Sequence, residues 1–244
     1  MGQRLGQHFL VRGALVERIA AAVCPGPERL VIEIGPGKGA LTERLLARAA
    51  RVVAIETDAR LVERLTERFR TATNLTLIQD DVLHADLSGW GAAVVAGNLP
   101  YYITSPILSK VLALGPSLRR AVFLVQKEVA ERLAAKPGSR RYGFLTVQTQ
   151  LLASPEVLFG VPPSAFRPPP KVDSAVVRLT PYHDGAPWSL EDPAGFLDFV
   201  GLCFRQKRKT IRNNLVGVYS DSVLKTCPES SLRAEQLPID HPGQ

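Results

Sequence analysis

From Leu30 onward, short apolar runs alternate with longer amphipathic stretches. Leu30–Ile34, Val52–Ile55, Leu75–Ile78, Ala92–Ala96 and Val122–Val125 read as strands, with helix-length segments at Ala40–Ala49 and Ala59–Phe69 between the first three. Continuous apolar runs of this length suit strands covered on both faces, and their alternation with helices predicts a largely parallel sheet. In the second helix Leu61, Leu65 and Phe69 recur every four residues, while Arg60, Glu63, Arg64, Glu67 and Arg68 fill most of the rest. That is the pattern of a surface helix with one buried stripe.

Beyond Val125 the signals change. Lys127–Ala135 and Gly143–Ala153 read as helices separated by the basic loop Lys136–Arg141, and Glu156–Gly160 and Ser174–Thr180 read as a strand pair joined by the proline-rich connection Pro162–Pro170. A hairpin-like final pair gives an open sheet with an antiparallel edge. Pro181–Pro187 has linker composition, and Phe196–Leu215 reads as helical. The expectation is an α/β, Rossmann-like domain over residues 1–183 and a small helical domain over 184–244.

At 244 residues and 45% hydrophobic content the chain has enough material for one full α/β core and an appendage. A net charge of +7 points to a polyanionic partner, nucleic acid before an anionic membrane, because cations that neutralise phosphates release condensed counterions. No apolar run reaches the length of a membrane span and the first residues lack the apolar stretch of a signal peptide, so the expected location is cytoplasmic. Three scattered cysteines and four scattered histidines give neither a disulfide framework nor metal-ligand spacing, and no metal is expected.

Candidate chemistry gathers at strand ends. Glu33-Ile-Gly35-Pro-Gly37-Lys-Gly39 follows the first strand and opens a helix, with G-x-G-x-G spacing rather than the G-x-G-x-x-G of dinucleotide sites. The second strand ends in Glu56, placed to accept ribose hydroxyls, and the third in Gln79-Asp80-Asp81. Each carboxylate alone reads equally well as a solvated loop residue. Together, at successive carboxyl ends of a parallel sheet, they fit a nucleoside, and the glycine spacing favours S-adenosylmethionine over NAD. On that reading Asp81 meets the adenine amine, Glu56 the ribose, and Gly35 and Gly37 make room for the methionine part. The strand Ala92–Ala96 then leads into Asn98-Leu-Pro-Tyr101, an amide, a fixed turn and an aromatic face suited to a flat, amine-bearing ring.

Five segments in order carry a resemblance: Gln7-His-Phe-Leu10, Glu33–Gly39, Asn98–Tyr101, Phe166-Arg-Pro-Pro-Pro-Lys-Val-Asp-Ser174 and Gln206–Leu215. Over about residues 3 to 237 the chain resembles the ribosomal RNA adenine dimethyltransferases of the bacterial KsgA family. The resemblance implies a class I S-adenosylmethionine-dependent methyltransferase fold and dimethylation of two adjacent adenosines in the hairpin near the 3′ end of 16S ribosomal RNA. It implies as partner the small ribosomal subunit or its precursor, met by a monomer. It also implies cofactor contacts at His8, Leu10, Gly35, Glu56, Asp81 and Asn98. The family commonly has Asn where this chain has His8, although imidazole also donates or accepts hydrogen bonds.

An adenine amine is a poor nucleophile because its lone pair is delocalised. If the Asn98 side-chain oxygen and the Leu99 carbonyl each accept one N–H, the lone pair is turned toward the methyl donor. Pro100 rigidifies that turn and Tyr101 stacks on the extruded base. Phe166 is the candidate second wall, its alternative being a phenylalanine packed beneath a loop. Arg205, Lys207, Arg208, Lys209 and Arg212 place five cations and no anion in eight residues. At helical spacing most of them form a ridge for phosphates, joined by Lys136, Arg140 and Arg141. The competing readings are a methyltransferase for a large-subunit adenine, a ribosome-assembly or transcription factor that keeps the fold as an RNA or DNA clamp without catalysis, and a NAD-dependent reductase.

Overall fold

The apolar runs become the middle of the sheet. The protein is described by a computed structural model covering residues 8–182 and 190–239. The chain enters through β1 (Phe9–Leu10) and α1 (Gly13–Val23), then alternates β2 (Val31–Ile34), α2 (Ala40–Leu46), β3 (Val52–Glu56), α3 (Ala59–Arg68) and β4 (Leu75–Gln79). β5 (Ala93–Asn98), α4 (Thr104–Leu112) and β6 (Leu118–Gln126) follow. Next come α5 (Lys127–Leu133), α6 (Phe144–Leu152), β7 (Ala153–Val161), β8 (Phe166–Arg167) and β9 (Ser174–Pro181), and then α7 (Pro193–Cys203), α8 (Ile211–Leu215) and α9 (Asp221–Thr226).

Seven strands form one sheet in the order β4-β3-β2-β5-β6-β9-β7. β2 to β6 are parallel, and β9 runs antiparallel to β6, giving the mixed edge read from the sequence. Every residue of β2 and β3 is buried, as two covered faces require, whereas β4 at the edge is only partly covered. One core cluster packs α1 and α2 residues such as Ile19, Val23, Leu41 and Leu45 against Val31, Val52, Val94 and Val122. β1 and β8 make a separate antiparallel pair, with Phe9 opposite Arg167 and Leu10 opposite Phe166.

By internal contacts the chain divides into two units. The first runs up to Ala130 and resumes over Pro155–Pro181; the second takes Glu131–Ser154 and the chain from Tyr182 on. The helical segment around α6 thus groups with the carboxyl-terminal unit and not with the domain that the sequence assigned to residues 1–183. The linker expected at Pro181–Pro187 and the boundary at 183/184 lie outside the described residues, apart from Pro181 and Tyr182. The second unit has its own core, in which Ala135, Tyr142, Val147 and Val200 pack with Phe196 and Phe204. A further cluster joins Cys203, Ile211, Leu215 and Leu224.

The helix expected over Phe196–Leu215 is broken. α7 stops at Cys203, residues 204–209 form turns, and α8 starts at Ile211. Two polar residues explain the break. The Thr210 hydroxyl accepts from the Asn213 N–H and caps a new helix. The buried Asn214 then holds the turn: its Oδ1 accepts from the Gln206 N–H at 2.9 Å, and its Nδ2 donates to the carbonyls of Cys203 at 2.7 Å and Gln206 at 3.2 Å. The basic run Arg205–Lys209 therefore sits on a turn, not on a helical ridge. Asn214→Ala strands these backbone groups, and a loss of about 2 to 3 kcal/mol is expected, read as a lower urea midpoint. A change below about 0.5 kcal/mol would show that the turn does not depend on this amide.

Candidate active site

The strand order reverses between β2 and β5. From β2 the chain builds outward through β3 and β4, then returns to lay β5 on the other side of β2, with Ile34 opposite Gly97. Open parallel sheets bind ligands at the carboxyl ends of strands beside such a reversal. The loop after β2 leaves its backbone bare there. Gly37 has φ +58°, a region that L side chains rarely adopt, and a Cβ on it would come within 3.1 Å of the Phe9 ring. A Cβ on Gly35 would lie 3.8 Å from the Asn98 carbonyl oxygen, so the ends of β2 and β5 adjoin.

Glu56 joins this loop to the neighbouring strand. Only 7% exposed, it accepts from the Thr57 and Asp58 N–H groups through Oε1 at 3.0 and 3.1 Å, and from the Gly37 N–H through Oε2 at 3.1 Å. A carboxylate has about four acceptor positions, so three are occupied and one remains, on Oε2. It can take one ribose hydroxyl as placed; a second has to share the Gly37 bond. Beyond β4, Asp81 caps a turn, with Oδ1 accepting from the Leu83 N–H at 2.9 Å, and Lys110 of α4 donates to the Leu83 carbonyl at 2.8 Å. The other oxygen of Asp81 has no partner among the described residues, so it can accept from an amine.

At the end of β5 the Asn98 amide has one orientation. Its Nδ2 donates to the His8 carbonyl at 2.8 Å, and because a carbonyl only accepts, the side-chain oxygen must face the other way. The Leu99 N–H donates to the Leu124 carbonyl at 3.0 Å, and the Pro100 carbonyl accepts from Ile103 N–H and Thr104 Oγ1. The Leu99 carbonyl accepts no backbone hydrogen bond from the described residues. Two acceptors on consecutive residues are thus left without a donor among the described residues. The half-buried Tyr101 stacks on His8, with ring centroids 5.9 Å apart, and its hydroxyl lies 2.8 Å from Ser174 Oγ. Burial pushes the Tyr101 phenol up against a smaller opposing pull from Ser174, so it keeps its proton at neutral pH.

A sequence profile described as "Ribosomal RNA adenine dimethylase" matches residues 2–235. The chain belongs to the ribosomal RNA adenine dimethylase family. A relative from Acidobacterium capsulatum, named Ribosomal RNA small subunit methyltransferase A, is 45% identical, covering 97% of this chain and 87% of its own. One of the same name from Synechococcus elongatus is 42% identical over 98% and 91%. Among solved structures, a dimethyladenosine transferase from Plasmodium falciparum aligns with a TM-score of 0.79 at 26% identity, over 94% of this chain and 93% of its own. The 23S rRNA methyltransferase ErmE aligns at 0.72 and 30% identity, over 93% and 96%.

Against the contacts expected for this dimethylase family, the structure gathers His8, Gly35, Gly37, Glu56 and Asn98 at adjoining strand ends. Leu10 is buried in the core and paired with Phe166. Phe166 departs from expectation: it is 0% exposed, inside the same core cluster, so its side chain is not open to stack on a base. Its β8 pairing with Leu10 turns the ring into the hydrophobic interior, where an aromatic of this size gains most from burial. Of the basic candidates, Arg141 pairs with Glu131 at 3.0 Å, Arg212 with Asp221, and Lys207 donates to the Arg140 carbonyl and lies 3.9 Å from Glu235. Arg140, Arg205, Arg208 and Lys209 are exposed with no ion pair among the described residues. Lys136 and Lys171 are exposed as well.

Glu33 and Ser174 went unassigned in the sequence, although both have a visible signal. Glu33 interrupts the apolar run Val31–Ile34 and Ser174 opens the apolar β9, and both are buried. Burial pushes the Glu33 carboxyl up to about 7, with Thr42 pulling it down and the Glu56 charge pushing it further up. Its Oε2 has no hydrogen-bond partner among the described residues. The folded chain therefore holds a proton that the unfolded chain has already released above about 4.5. Glu33's contribution to stability is fully present below that pH and is lost as pH rises through about 7. Glu33→Gln is expected to flatten this slope and to gain on the wild type above pH 7, by at most about 3 kcal/mol, in urea midpoints taken from pH 5 to 8. Parallel pH profiles for the two proteins would count against the assignment.

Proposed function

We propose that this protein transfers methyl groups from S-adenosylmethionine to the N6 amines of two adjacent adenosines in the hairpin near the 3′ end of 16S ribosomal RNA. Each adenosine is dimethylated within the small subunit or its precursor, by a monomer acting in the cytoplasm. The observation that carries this reading is the Asn98 amide, held by the His8 carbonyl so that its oxygen, with the Leu99 carbonyl, presents two acceptors at the sheet's reversal point. Family membership and the relatives' names support the choice of ribosomal RNA, and the 40–45% identity to small-subunit enzymes supports the choice of subunit. Among the described residues no helix is long and apolar enough to cross a membrane.

The crevice fits the cofactor class. Bare backbone at Gly35 and Gly37, an open acceptor position on Glu56 and a free oxygen on Asp81 match a methionine part, a ribose and an adenine amine in turn, with His8 beside them. When bound, S-adenosylmethionine supplies an electrophilic methyl on a sulfonium. Asn98 Oδ1 and the Leu99 carbonyl each accept an N–H of the target amine, which draws its lone pair out of the ring plane and aims it. Pro100, with φ −60°, fixes the chain between acceptors and ring, and Tyr101 offers that ring for stacking. No general base is required, because an amine that has just gained a methyl is cationic and loses its proton to water.

The free cations Arg140, Arg205, Arg208 and Lys209 serve the phosphates. RNA helices are recognised largely by backbone and shape, which such a cluster on a turn can follow. The deciding experiment incubates the protein and labelled S-adenosylmethionine with unmethylated small subunits and, in parallel, with unmethylated large-subunit RNA, then maps and counts the methyls. Two adjacent N6,N6-dimethyladenosines are expected; label only on large-subunit RNA would favour the ErmE-like alternative, and no cofactor binding by calorimetry a non-catalytic factor. Asn98→Ala should lower transfer at least 100-fold at unchanged fold, the scale of removing one placed hydrogen-bonding group; near-wild-type turnover would sink the acceptor mechanism. Replacing Arg205, Arg208 and Lys209 by Gln together should weaken particle binding at least tenfold. The same change should reduce the slope of log affinity against log salt by about 2 to 3, while Arg212→Gln, whose charge is already paired, changes it by less than about 1.

A further inference from the structure

Three of the five sequence segments meet at one ring. Tyr101, from the Asn98–Tyr101 turn, is held at its hydroxyl by Ser174 Oγ at 2.8 Å and covered on a face by His8. Neither support is itself loose. Ser174 is fully buried and starts β9, paired with Gln126 of the central sheet, so its hydroxyl has a fixed place. The His8 ring is tied through Nδ1 to the Pro168 carbonyl at 2.8 Å; that carbonyl only accepts, so Nδ1 carries the proton. The two rings lie 5.9 Å apart at 29°, so the side of Tyr101 toward His8 is taken.

We propose that Ser174 and His8 are positioning residues that preset the Tyr101 ring for the target base, with Ser174 fixing its in-plane position and His8 dictating which face the base takes. The proposal rests on the adenine-methylation reading and deepens it. Phe166, the expected second wall, is buried, so alignment of the base depends more heavily on a single ring. That ring cannot swing without breaking the Ser174 hydrogen bond and the His8 stack at once. A Tyr at this position, rather than Phe, is then explained by its hydroxyl, which bonds Ser174.

The test is a double-mutant cycle on unmethylated small subunits, with Tyr101→Phe, Ser174→Ala and the pair. Each single change is expected to raise KM for the particle five- to tenfold with kcat within twofold, and the pair should be no worse than either alone, because both delete the same bond. Tyr101→Phe keeps the ring and its packing, so it reads the bond even if Ser174→Ala folds poorly. Wild-type KM in Tyr101→Phe, or additive effects in the pair, would overturn the proposal. For the second support, His8→Ala should raise KM similarly and His8→Phe, which keeps a stacking ring, should recover most of it; no difference between these two would remove His8 from the proposal. A wild-type protein that transfers no methyl to these particles would overturn the proposed reaction instead, and the positioning role with it.

Discussion

Gly97 has no side chain, and a Cβ built there would lie 2.3 Å from the Ile34 carbonyl oxygen, a distance that no carbon tolerates against backbone. β5 can therefore lie in register against β2 only with glycine at this position. That contact brings the end of β5 beside the loop after β2, and so sets Asn98 next to Gly35. A larger residue would push the two strand ends apart where the sheet reverses. Methyl transfer needs donor and acceptor aligned within a fraction of an ångström, so the close approach of two backbones here precedes every side-chain role in the crevice.

Once the strands are placed, carboxylates organise the loops. Glu56 ties the glycine loop to the start of α3 by accepting three backbone N–H groups, and Asp81 does the same for the turn after β4. In both, N–H donors stand where water would otherwise hydrogen-bond to the carboxylate. Glu33, one strand inward, lacks such compensation at Oε2 and is pushed up instead. The same side-chain type thus serves as a hydrogen-bonded acceptor at the rim and as a proton-binding group beneath it. The former are the proposed acceptors for ribose and adenine, whereas the latter makes the fold sensitive to pH near neutrality.

How much of this was legible in the sequence depended on whether a local pattern or a distant partner decides the outcome. The parallel strands were readable because burial on both faces demands unbroken apolar runs, and the placement of Glu56, Asp81 and Asn98 at or just past strand ends was readable because those runs stop there. Phe166 was not, since whether an aromatic beside a proline-rich connection faces in or out depends on its pairing with Leu10, far away in sequence. The break inside Phe196–Leu215 was hidden for a related reason. Its charges and apolar residues fit one helix, but Thr210 and Asn214 offer the backbone competing hydrogen bonds, and the long helix loses to them. Charge counting also overstated the cationic surface, because Arg141 and Arg212 already face Glu131 and Asp221.

Under the proposed acceptor mechanism, the fixed orientation of Asn98 bears on how one site performs two transfers. An unmethylated amine has two N–H groups for two acceptors, while a monomethylated amine has one. Asn98 cannot adapt by rotating its amide, because exchanging Nδ2 for Oδ1 would set two acceptors against each other at the His8 carbonyl. The Leu99 carbonyl cannot adapt either, being backbone between a sheet hydrogen bond at Leu99 N–H and the φ of Pro100. The substrate must therefore rotate about its C6–N6 bond to keep one acceptor satisfied and turn its methyl toward the other. An acceptor left facing a methyl loses its partner, so under the proposed mechanism the second transfer is held in line by one hydrogen bond and by the stack on Tyr101. The aromatic ring thus carries a larger share of alignment in the second step than in the first.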